Sequence, residues 1–135
     1  MSASYIKLNG VTFDANVAIS KYSRNFNVLD GENAGRVLSG RMVRDVIGSY
    51  LGHTVTVFRR GDNYQGLDAF WDYLYQHSVD DSVTLEAADG QTTISYEAYY
   101  TSAKQDIERV DKRTGVNYWG EIEVNFIPMT ATLRP

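Results

Sequence analysis

The chain has 135 residues, of which 43% are hydrophobic, and this is enough for one domain with one core but too little for two. We therefore predict a single domain over residues 1–135. Seventeen acidic residues against thirteen basic ones give a formal charge of −4, and the Lys and Arg residues are scattered along the chain. Binding to a phosphate backbone needs clustered cations, so this balance disfavours nucleic acid as a partner.

The absence of cysteine excludes several kinds of site. Without a thiol the chain has no disulfide, no thiolate zinc site and no thiol nucleophile. The N-terminus MSASYIKLNG lacks the basic and then apolar pattern of a signal peptide, and no apolar run reaches the roughly 18 residues of a membrane span. We expect synthesis in the cytosol and no membrane partner.

The first third of the chain predicts a hairpin, a long strand and an extended arm. Residues 4–13 predict two short strands joined by a tight turn at Asn9-Gly10. In residues 16–29 the apolar set changes face near Ser20, which predicts a bulge or a strand that passes between two layers. Residues 29–50, LDGENAGRVLSGRMVRDVIGSY, begin with turn-forming residues and end in a strand with apolar residues on both faces. We interpret residues 29–50 as an arm that contacts a neighbouring subunit; the alternative is a surface loop followed by a core strand.

The middle of the chain predicts a strand and then a helix. Residues 53–60, HTVTVFRR, alternate like a half-buried strand. Residues 64–78 show apolar side chains at the spacing of a helix with one apolar stripe, and either Asp62 or Asn63 is placed to cap its start. The predicted stripe consists of Leu67, Phe70, Trp71, Leu74 and Tyr75.

The last third predicts a hairpin, a loop and a closing strand. Residues 82–100 alternate around a turn at Asp89-Gly90. Residues 102–117 are charged and weakly patterned, and we predict a long exposed loop there. The segment YWGEIEVNFIP, residues 118–128, predicts one strand, whose pairing Pro128 ends or places at a sheet edge. Its inward residues are Ile122, Val124 and Phe126, and its outward residues are Glu121, Glu123 and Asn125.

In total, the sequence predicts about six or seven strands with short turns and one helix. This pattern predicts a mainly β, α+β chain: an antiparallel β-sandwich or partly closed barrel with one packed helix.

The titratable residues do not form a pattern that predicts catalysis. His53 and His77 are predicted to have structural roles, because no carboxylate or serine lies at a spacing that implies a partner. Glu121 and Glu123 project from one face of one strand in similar environments, so they do not predict the separated acid and base of a glycosidase. No phosphate loop or set of metal ligands is present. We predict no enzyme activity, no cofactor and no metal.

Four segments together resemble small structural proteins from the tail modules of long-tailed bacteriophages and prophages of Gram-positive bacteria. They are YIKLNGVTF, the arm LDGENAGRVLSGRMVRDVIG, the helix LDAFWDYLYQ and the closing YWGEIEVNFIPMTATLRP. The resemblance is to tail-tube, tail-terminator and distal-tail subunits. It implies a β-sandwich flanked by a helix that assembles as a ring, often hexameric, in the virion tail.

The resemblance implies partners and contact residues. The partners are other copies of the chain and other tail proteins, with DNA at most as cargo passing through a lumen. The arm would clasp the next subunit, and the sheet edge near Pro128 would supply the second contact surface. Candidate interface residues are Arg36, Arg41, Arg44, Asp45, Glu121, Glu123 and Trp119, with the arginines pairing with carboxylates across the contact. The alternative is a small phage-encoded β-protein that captures a host factor or small ligand.

Overall fold

The computed structural model describes residues 6–13, 17–31, 35–36 and 40–135, and it shows a mainly β architecture with one helix. Seven of the described strands pair antiparallel in one sheet, in the order β2-β1-β7-β8-β11-β6-β3. Two smaller ladders join β4 to β5 and β9 to β10. In chain order the elements are β1 (Ile6–Leu8), β2 (Val11–Thr12), β3 (Val17–Asp30), β4 (Gly35–Arg36), β5 (Met42–Val43), β6 (Val46–Arg59), α1 (Tyr64–Gln76), β7 (Val83–Asp89), β8 (Thr92–Tyr99), β9 (Ile107–Asp111), β10 (Val116–Trp119) and β11 (Ile122–Pro128).

The main sheet consists of two halves that meet at β11. Residues 122–126 of β11 pair with β6, whereas only Ile127 and Pro128 pair with β8. The half that holds β3 and β6 contacts the half that holds β7 and β8: the backbone N–H of Ala88 donates a hydrogen bond of 2.8 Å to the Tyr22 hydroxyl. The predicted antiparallel class with one packed helix is confirmed, and the open sheet is consistent with a sandwich or partly closed barrel.

The hydrophobic core draws on both halves of the sheet and on α1. Phe13 contacts Phe70 of α1 edge to face, with ring centroids 4.9 Å apart, so the helix packs directly on the sheet residues. Burial of each such side chain contributes about 1.5–3 kcal/mol. The core residues are Ile6, Leu8, Phe13, Val17, Val55, Val57, Leu67, Phe70, Leu74, Val83, Leu85, Ala87, Ala98, Ile122, Val124 and Phe126.

β3 and β6 form a hairpin whose strands have 14 residues each. The predicted change of face near Ser20 is confirmed, since the register with β6 shifts between Ile19 and Lys21. The separate strands predicted at 41–50 and 53–60 are wrong. Gly52 pairs with Asn25 within the ladder, so β6 continues through it, and only β5 remains as a distinct strand before Val46.

The helix begins and packs nearly as the sequence predicts. Asn63, rather than Asp62, caps it, because the Asn63 side chain accepts a hydrogen bond of 3.0 Å from the backbone N–H of Gly66. Leu67, Phe70 and Leu74 are buried. Tyr75 was wrongly predicted to lie in the buried stripe: it is 68% exposed, because it lies on the side of the last turn that faces away from the sheet.

The hairpin of β7 and β8 has its turn one residue later than the sequence predicts. Asp89 pairs with Thr92, so the two turn residues are Gly90 and Gln91. Gly90 has φ of 61°, the left-handed conformation that glycine adopts without strain. The first hairpin is as predicted, with Asn9 and Gly10 both at positive φ between β1 and β2.

The long exposed loop predicted at residues 102–117 instead contains a strand, β9, and the start of its partner β10. Most side chains of β9 are exposed, so no apolar alternation marks it in the sequence. The guanidinium of Arg109 lies over the Tyr118 ring, 3.9 Å from its centroid, and joins the two strands from one face. Backbone pairing and this contact therefore form a hairpin that apolar periodicity does not predict.

The closing strand predicted at residues 118–128 is divided between β10 and β11 near Gly120. Its inward and outward residues are correct, since Ile122, Val124 and Phe126 are buried and Glu121, Glu123 and Asn125 are exposed. Pro128 ends β11, but β11 lies between β8 and β6 in the middle of the sheet, so the predicted edge near Pro128 is wrong. The outer strands of the main sheet are β2 and β3. In the described part of the chain, no helix has the length and apolar content to span a membrane.

Candidate assembly surface

The end of the β3–β6 hairpin extends beyond the core, and we call residues 25–31 and 40–51 the hairpin arm. Paired residues of neighbouring strands share a face, so Phe26 and Leu51 lie on the face that carries His53 and the core residue Val55. Phe26 is nevertheless 67% exposed. The core-facing surface of the sheet therefore continues into the arm, where no described residue covers it fully.

The opposite face of the hairpin arm carries a further exposed apolar residue, Leu29, together with Asn27. Leu29 pairs with Gly48 and alternates with Val28, so these two side chains point to different faces. Leu29 is 47% exposed, and Val28, on the face of Phe26, is 44% exposed. Exposed apolar residues that lie together mark interaction sites more often than single ones do. The arm thus presents two unlike faces, one with Phe26 and Val28 and the other with Leu29.

A groove lies where the core-facing side of the arm meets the end of the β7–β8 hairpin and the C-terminal segment. Its volume is about 510 Å³, and its apolar lining includes Phe26, Leu51, Ile94 and Leu133. Arg24 and Asp89, which also line it, form an ion pair and neutralise each other. The groove is therefore suited to an apolar partner.

The C-terminal segment packs beside β6 where β11 no longer pairs with it. The backbone N–H of Ser49 donates a hydrogen bond of 2.8 Å to the carbonyl of Leu133. The N–H of Leu51 donates one of 3.1 Å to the Thr132 hydroxyl. Gly48 permits this approach, since a Cβ built there would lie 2.5 Å from the Cβ of Ala131. The segment thus stabilises the arm on the side opposite β3.

The predicted interface residues of the arm have different environments. Arg44 donates to the Asp30 carboxylate at 2.9 Å, and this hydrogen bond, with the charge of Asp30, raises the pKa of Arg44. The carbonyl of Asp45 accepts from the N–H of Gly31 at 2.6 Å, and Asp45 is half-buried. Arg41 is exposed. Arg36 has its backbone in β4, and its side chain lies outside the described residues.

The remaining predicted residues lie at the other end of β6. Glu123 pairs with Thr56, which is ten residues along β6 from Val46, a distance of about 33 Å in an extended strand. Glu121 is exposed near this position, and Trp119 is half-buried with its carbonyl 3.5 Å from a donating nitrogen of Arg59. The structure therefore does not bring the predicted arginines and glutamates together within one chain.

A second groove, which we call the acidic groove, lies at this end of β6. It has a volume of about 490 Å³. Four carboxylates and one ammonium group contribute to its lining. Glu108 forms an ion pair of 3.3 Å with Arg59, but Glu121 and Glu123 form none within the described residues. The residues that line it are Thr56, Lys104, Asp106, Ile107, Glu108, Gly120, Glu121 and Glu123.

His53 is buried in a cluster with two tyrosines. Its side chain is 0% exposed, and its Nδ1 lies 2.6 Å from the Tyr96 hydroxyl. Its Nε2 has no hydrogen-bond partner within the described residues. Burial is the main cause that lowers the pKa of His53, and burial also raises the pKa of Tyr96. His53 alternates in the strand on the same face as Val55 and Val57, so the sequence indicates that it is buried with them. Nothing in the sequence indicates that Tyr96 is its partner.

The described residues do not assemble a catalytic constellation. His77 lies at the helix end with Nδ1 2.7 Å from Asp80, on the surface. A search of the described residues finds no group of three or more His, Cys, Asp or Glu side chains that would hold a metal ion. A cavity of about 300 Å³ at the end of α1 is lined by Trp71, Leu74, Tyr75, Ser78, Tyr100, Thr101, Ser102 and Ala103.

Comparison with solved structures finds a likeness in fold. No protein-family model matches the chain, and no curated protein matches it. The chain is similar to the Dit protein of phage SPP1, described as a paradigm of the hub adsorption apparatus in phages that infect Gram-positive bacteria. The likeness has a TM-score of 0.49 and 13% sequence identity. It covers 95% of this chain, which spans half the length of the Dit chain.

Proposed function

We propose that the chain is a noncatalytic structural component of a bacteriophage tail that assembles as a homo-oligomeric ring through the hairpin arm. The observation that carries the proposal is the arm itself, whose apolar side chains are exposed on both faces in the single chain. Apolar surface of this extent is removed from water when subunits associate. The sequence resemblance to tail subunits supports the virion tail as the place of this assembly.

The two faces of the arm favour a ring over a two-fold dimer. An isologous contact pairs a surface with itself, so it would cover the face of Phe26 and Val28 and leave the face of Leu29 exposed. A heterologous contact, in which one face meets a different surface of the next subunit, uses unlike surfaces on each subunit and forms a ring where the rotation between subunits closes. We therefore propose a ring, with the hexamer that the resemblance implies as the expected size.

The proposed place is the virion tail, at the tail tube, the distal tail or baseplate, or the terminator. The proposed partners are identical subunits in the ring and other tail proteins above and below it. DNA is at most cargo that passes through a lumen, since the chain has a net charge of −4 and its cations are dispersed.

The test is the mass of the purified protein by light scattering over a wide concentration range, followed by negative-stain imaging. We expect particles larger than a monomer for the natural sequence. Replacing Phe26 and Val28 by serine should reduce the association constant at least tenfold, because the substitutions remove apolar area from the arm.

Val79→Ser is the matched control, because Val79 is 88% exposed at the helix end, away from the arm. This variant should associate like the natural sequence. Circular dichroism should show that all variants are folded. A monomer at every concentration, in buffers that keep the protein folded, would contradict self-assembly of this chain, and equal association of the arm and control variants would contradict the role of the arm.

The second candidate function is a binding module that captures a host factor or small ligand. The observation that favours it is the cavity at the end of α1, whose lining combines Trp71 and Tyr100 with serine and threonine hydroxyls. The Tyr100 hydroxyl already donates to the carbonyl of Leu74 at 2.6 Å, and burial raises the pKa of Tyr100 to about 12, so this group stays neutral. A monomer whose Trp fluorescence responds to ligand screening would support this candidate.

A further inference from the structure

We propose that the two halves of the main sheet are held together by a latch that opens when His53 is protonated. Opening moves the end of the β7–β8 hairpin away from β3, while the ladders within each half stay paired. The latch consists of three contacts, which we call the polar seam: Tyr22 with Ala88, Arg24 with Asp89, and His53 with Tyr96.

The polar seam lies on the side of the sheet where backbone pairing does not join the two halves. Among the described strands, the halves are connected in the ladder only through β11. β11 pairs with β8 at Ile127 and Pro128 alone. At the other side, the last two residues of β7 meet the side chains of Tyr22 and Arg24 on β3. Because few hydrogen bonds hold this side, it opens more readily than the ladders do.

His53 occupies the buried part of the polar seam. Its side chain is 0% exposed, and its ring centroid lies 5.9 Å from that of Tyr22 and 5.7 Å from that of Tyr96. Nδ1 lies 2.6 Å from the Tyr96 hydroxyl, whereas Nε2 has no hydrogen-bond partner within the described residues. A charged imidazole carries an N–H on both nitrogens. Protonation in the closed seam therefore leaves a buried donor without an acceptor, which costs free energy.

The charged groups that face His53 do not offset its burial. Burial is the main cause that lowers the pKa of His53 below the ordinary value. The carbonyl of Ala88 and the charge of Asp89 raise this pKa, and the charge of Arg24 lowers it. Asp89 is already paired with Arg24, so the two charges largely cancel at the imidazole. The closed seam therefore favours neutral His53.

The other groups that face the imidazole are uncharged. Tyr22 on β3 and Tyr96 on β8 keep their protons at neutral pH, because burial raises the pKa of both hydroxyls. On β11, the residue that pairs with His53 is the buried, apolar Phe126. No group on these three strands thus gains or loses a charge that would accommodate an imidazolium.

The open seam takes up a proton more readily than the closed one. Water reaches the imidazole when the seam opens, so the pKa of His53 returns to its ordinary value of about 6.5. The pKa in the closed seam is lower. As pH falls from about 6.5 toward that lower pKa, the open state is favoured by up to about tenfold per pH unit. Above this range His53 is neutral in both states, and the seam stays closed.

Opening the seam also separates the walls of the groove at the base of the hairpin arm. Phe26 and Leu51 line this groove from the half that holds β3 and β6, and Asp89 and Ile94 line it from the half that holds β7 and β8. A groove built from both halves exists only while they remain in contact. The latch thus makes this apolar surface depend on pH.

Amide hydrogen exchange followed by NMR tests the latch. The N–H of Ala88 donates across the seam, whereas the N–H of Thr84 donates to the Asn9 side chain within one half and is the internal control. After correction for the intrinsic effect of pH on exchange, protection of Ala88 should fall about threefold or more between pH 7.5 and 5.5. Protection of Thr84 should stay the same. An equal fall at both amides would indicate general unfolding and overturn the latch, as would no change at Ala88.

Substitutions in β6 assign the effect to the imidazole. His53→Gln is neutral at every pH, so Ala88 should have the same protection at pH 7.5 and 5.5 in this variant. Thr54→Ser is the matched control, because Thr54 is the next residue along the strand, on the opposite face, and its hydroxyl donates to Asn125 at 3.1 Å. This control should keep the natural fall. If His53→Gln also keeps it, another group opens the seam and the proposal is wrong.

A titration of the natural protein needs no variant. NMR signals of the His53 imidazole give the pH at which the closed seam takes up a proton. The fall in protection at Ala88 should begin at about pH 6.5 and level off where the imidazole titrates. A fall that does not follow this titration would overturn the latch. The result is independent of the proposed ring, since a monomer and a ring subunit both contain the polar seam.

Discussion

At the scale of single residues, His53 makes stability depend on pH. Burial lowers its pKa below the ordinary value, so as pH falls the unfolded chain takes up a proton at this imidazole before the folded chain does. Stability from the neutral imidazole is thus fully present above the unfolded pKa of about 6.5 and is lost as pH falls from there toward the lower folded pKa. We expect the free energy of unfolding in urea to decrease as pH falls from 7 to 5.

The variant His53→Leu tests this assignment. His53→Leu should show a smaller pH slope between 7 and 5, because it removes the buried group. An unchanged slope in His53→Leu would mean that other groups account for the acid sensitivity.

At the scale of elements, Gly48 determines how the C-terminal segment packs on β6. A Cβ at this position would lie 2.5 Å from the Cβ of Ala131 and 3.0 Å from the carbonyl oxygen of Leu133. We expect Gly48→Ala to lower the free energy of unfolding by about 1–3 kcal/mol, because the segment must shift or separate from the strand. Urea unfolding followed by circular dichroism measures this change.

A second substitution tests whether this contact is the cause. Ala131→Gly removes the opposing methyl group, so the double variant should recover much of the stability lost in Gly48→Ala, with a favourable coupling energy. Gly35→Ala serves as the control, since a Cβ there meets nothing within 4 Å. If the double variant is no more stable than Gly48→Ala, the cost arises from the strand backbone and not from Ala131.

At the scale of the whole molecule, the proposed assembly links stability to concentration. Association that involves only folded subunits stabilises the folded state by mass action, so the apparent Tm should rise with protein concentration. The Phe26→Ser, Val28→Ser variant should lose this dependence while keeping the Tm of the dilute natural protein, because Phe26 is mostly exposed in the single chain. Scanning calorimetry over a hundredfold concentration range measures both quantities. A Tm that is independent of concentration in the natural sequence would count against assembly.

Much of the fold was predictable because its signals are local. The turn at Asn9-Gly10, the alternation from Val83 to Ala87 and the periodicity of α1 each depend on residues close in sequence. The bulge after Ile19 was predictable for the same reason, since a change of apolar face within one strand requires an extra residue. These features follow from side-chain spacing and turn geometry alone.

The features that were not predictable depend on residues far apart in the sequence. Pro128 ends a strand that lies inside the sheet, because β11 pairs with β6 and then with β8, and no local pattern indicates which strands become neighbours. The strand β9 forms because the backbone of β10 pairs with it and the Tyr118 ring of β10 contacts Arg109, and the side chains of β9 itself give no apolar pattern. The candidate interface residues were chosen by type, and only the ladder of β6 places them at opposite ends of the molecule.

The sequence by itself determined the antiparallel β class and the single helix, because alternation and periodicity are properties of adjacent residues. Tertiary structure alone decided that the core-facing surface continues into the arm, that His53 meets Tyr96, and that four carboxylates line one groove with Thr56. The physical reason is that strand pairing and packing bring together residues that are distant along the chain, and the free energy of those contacts is absent from any local pattern.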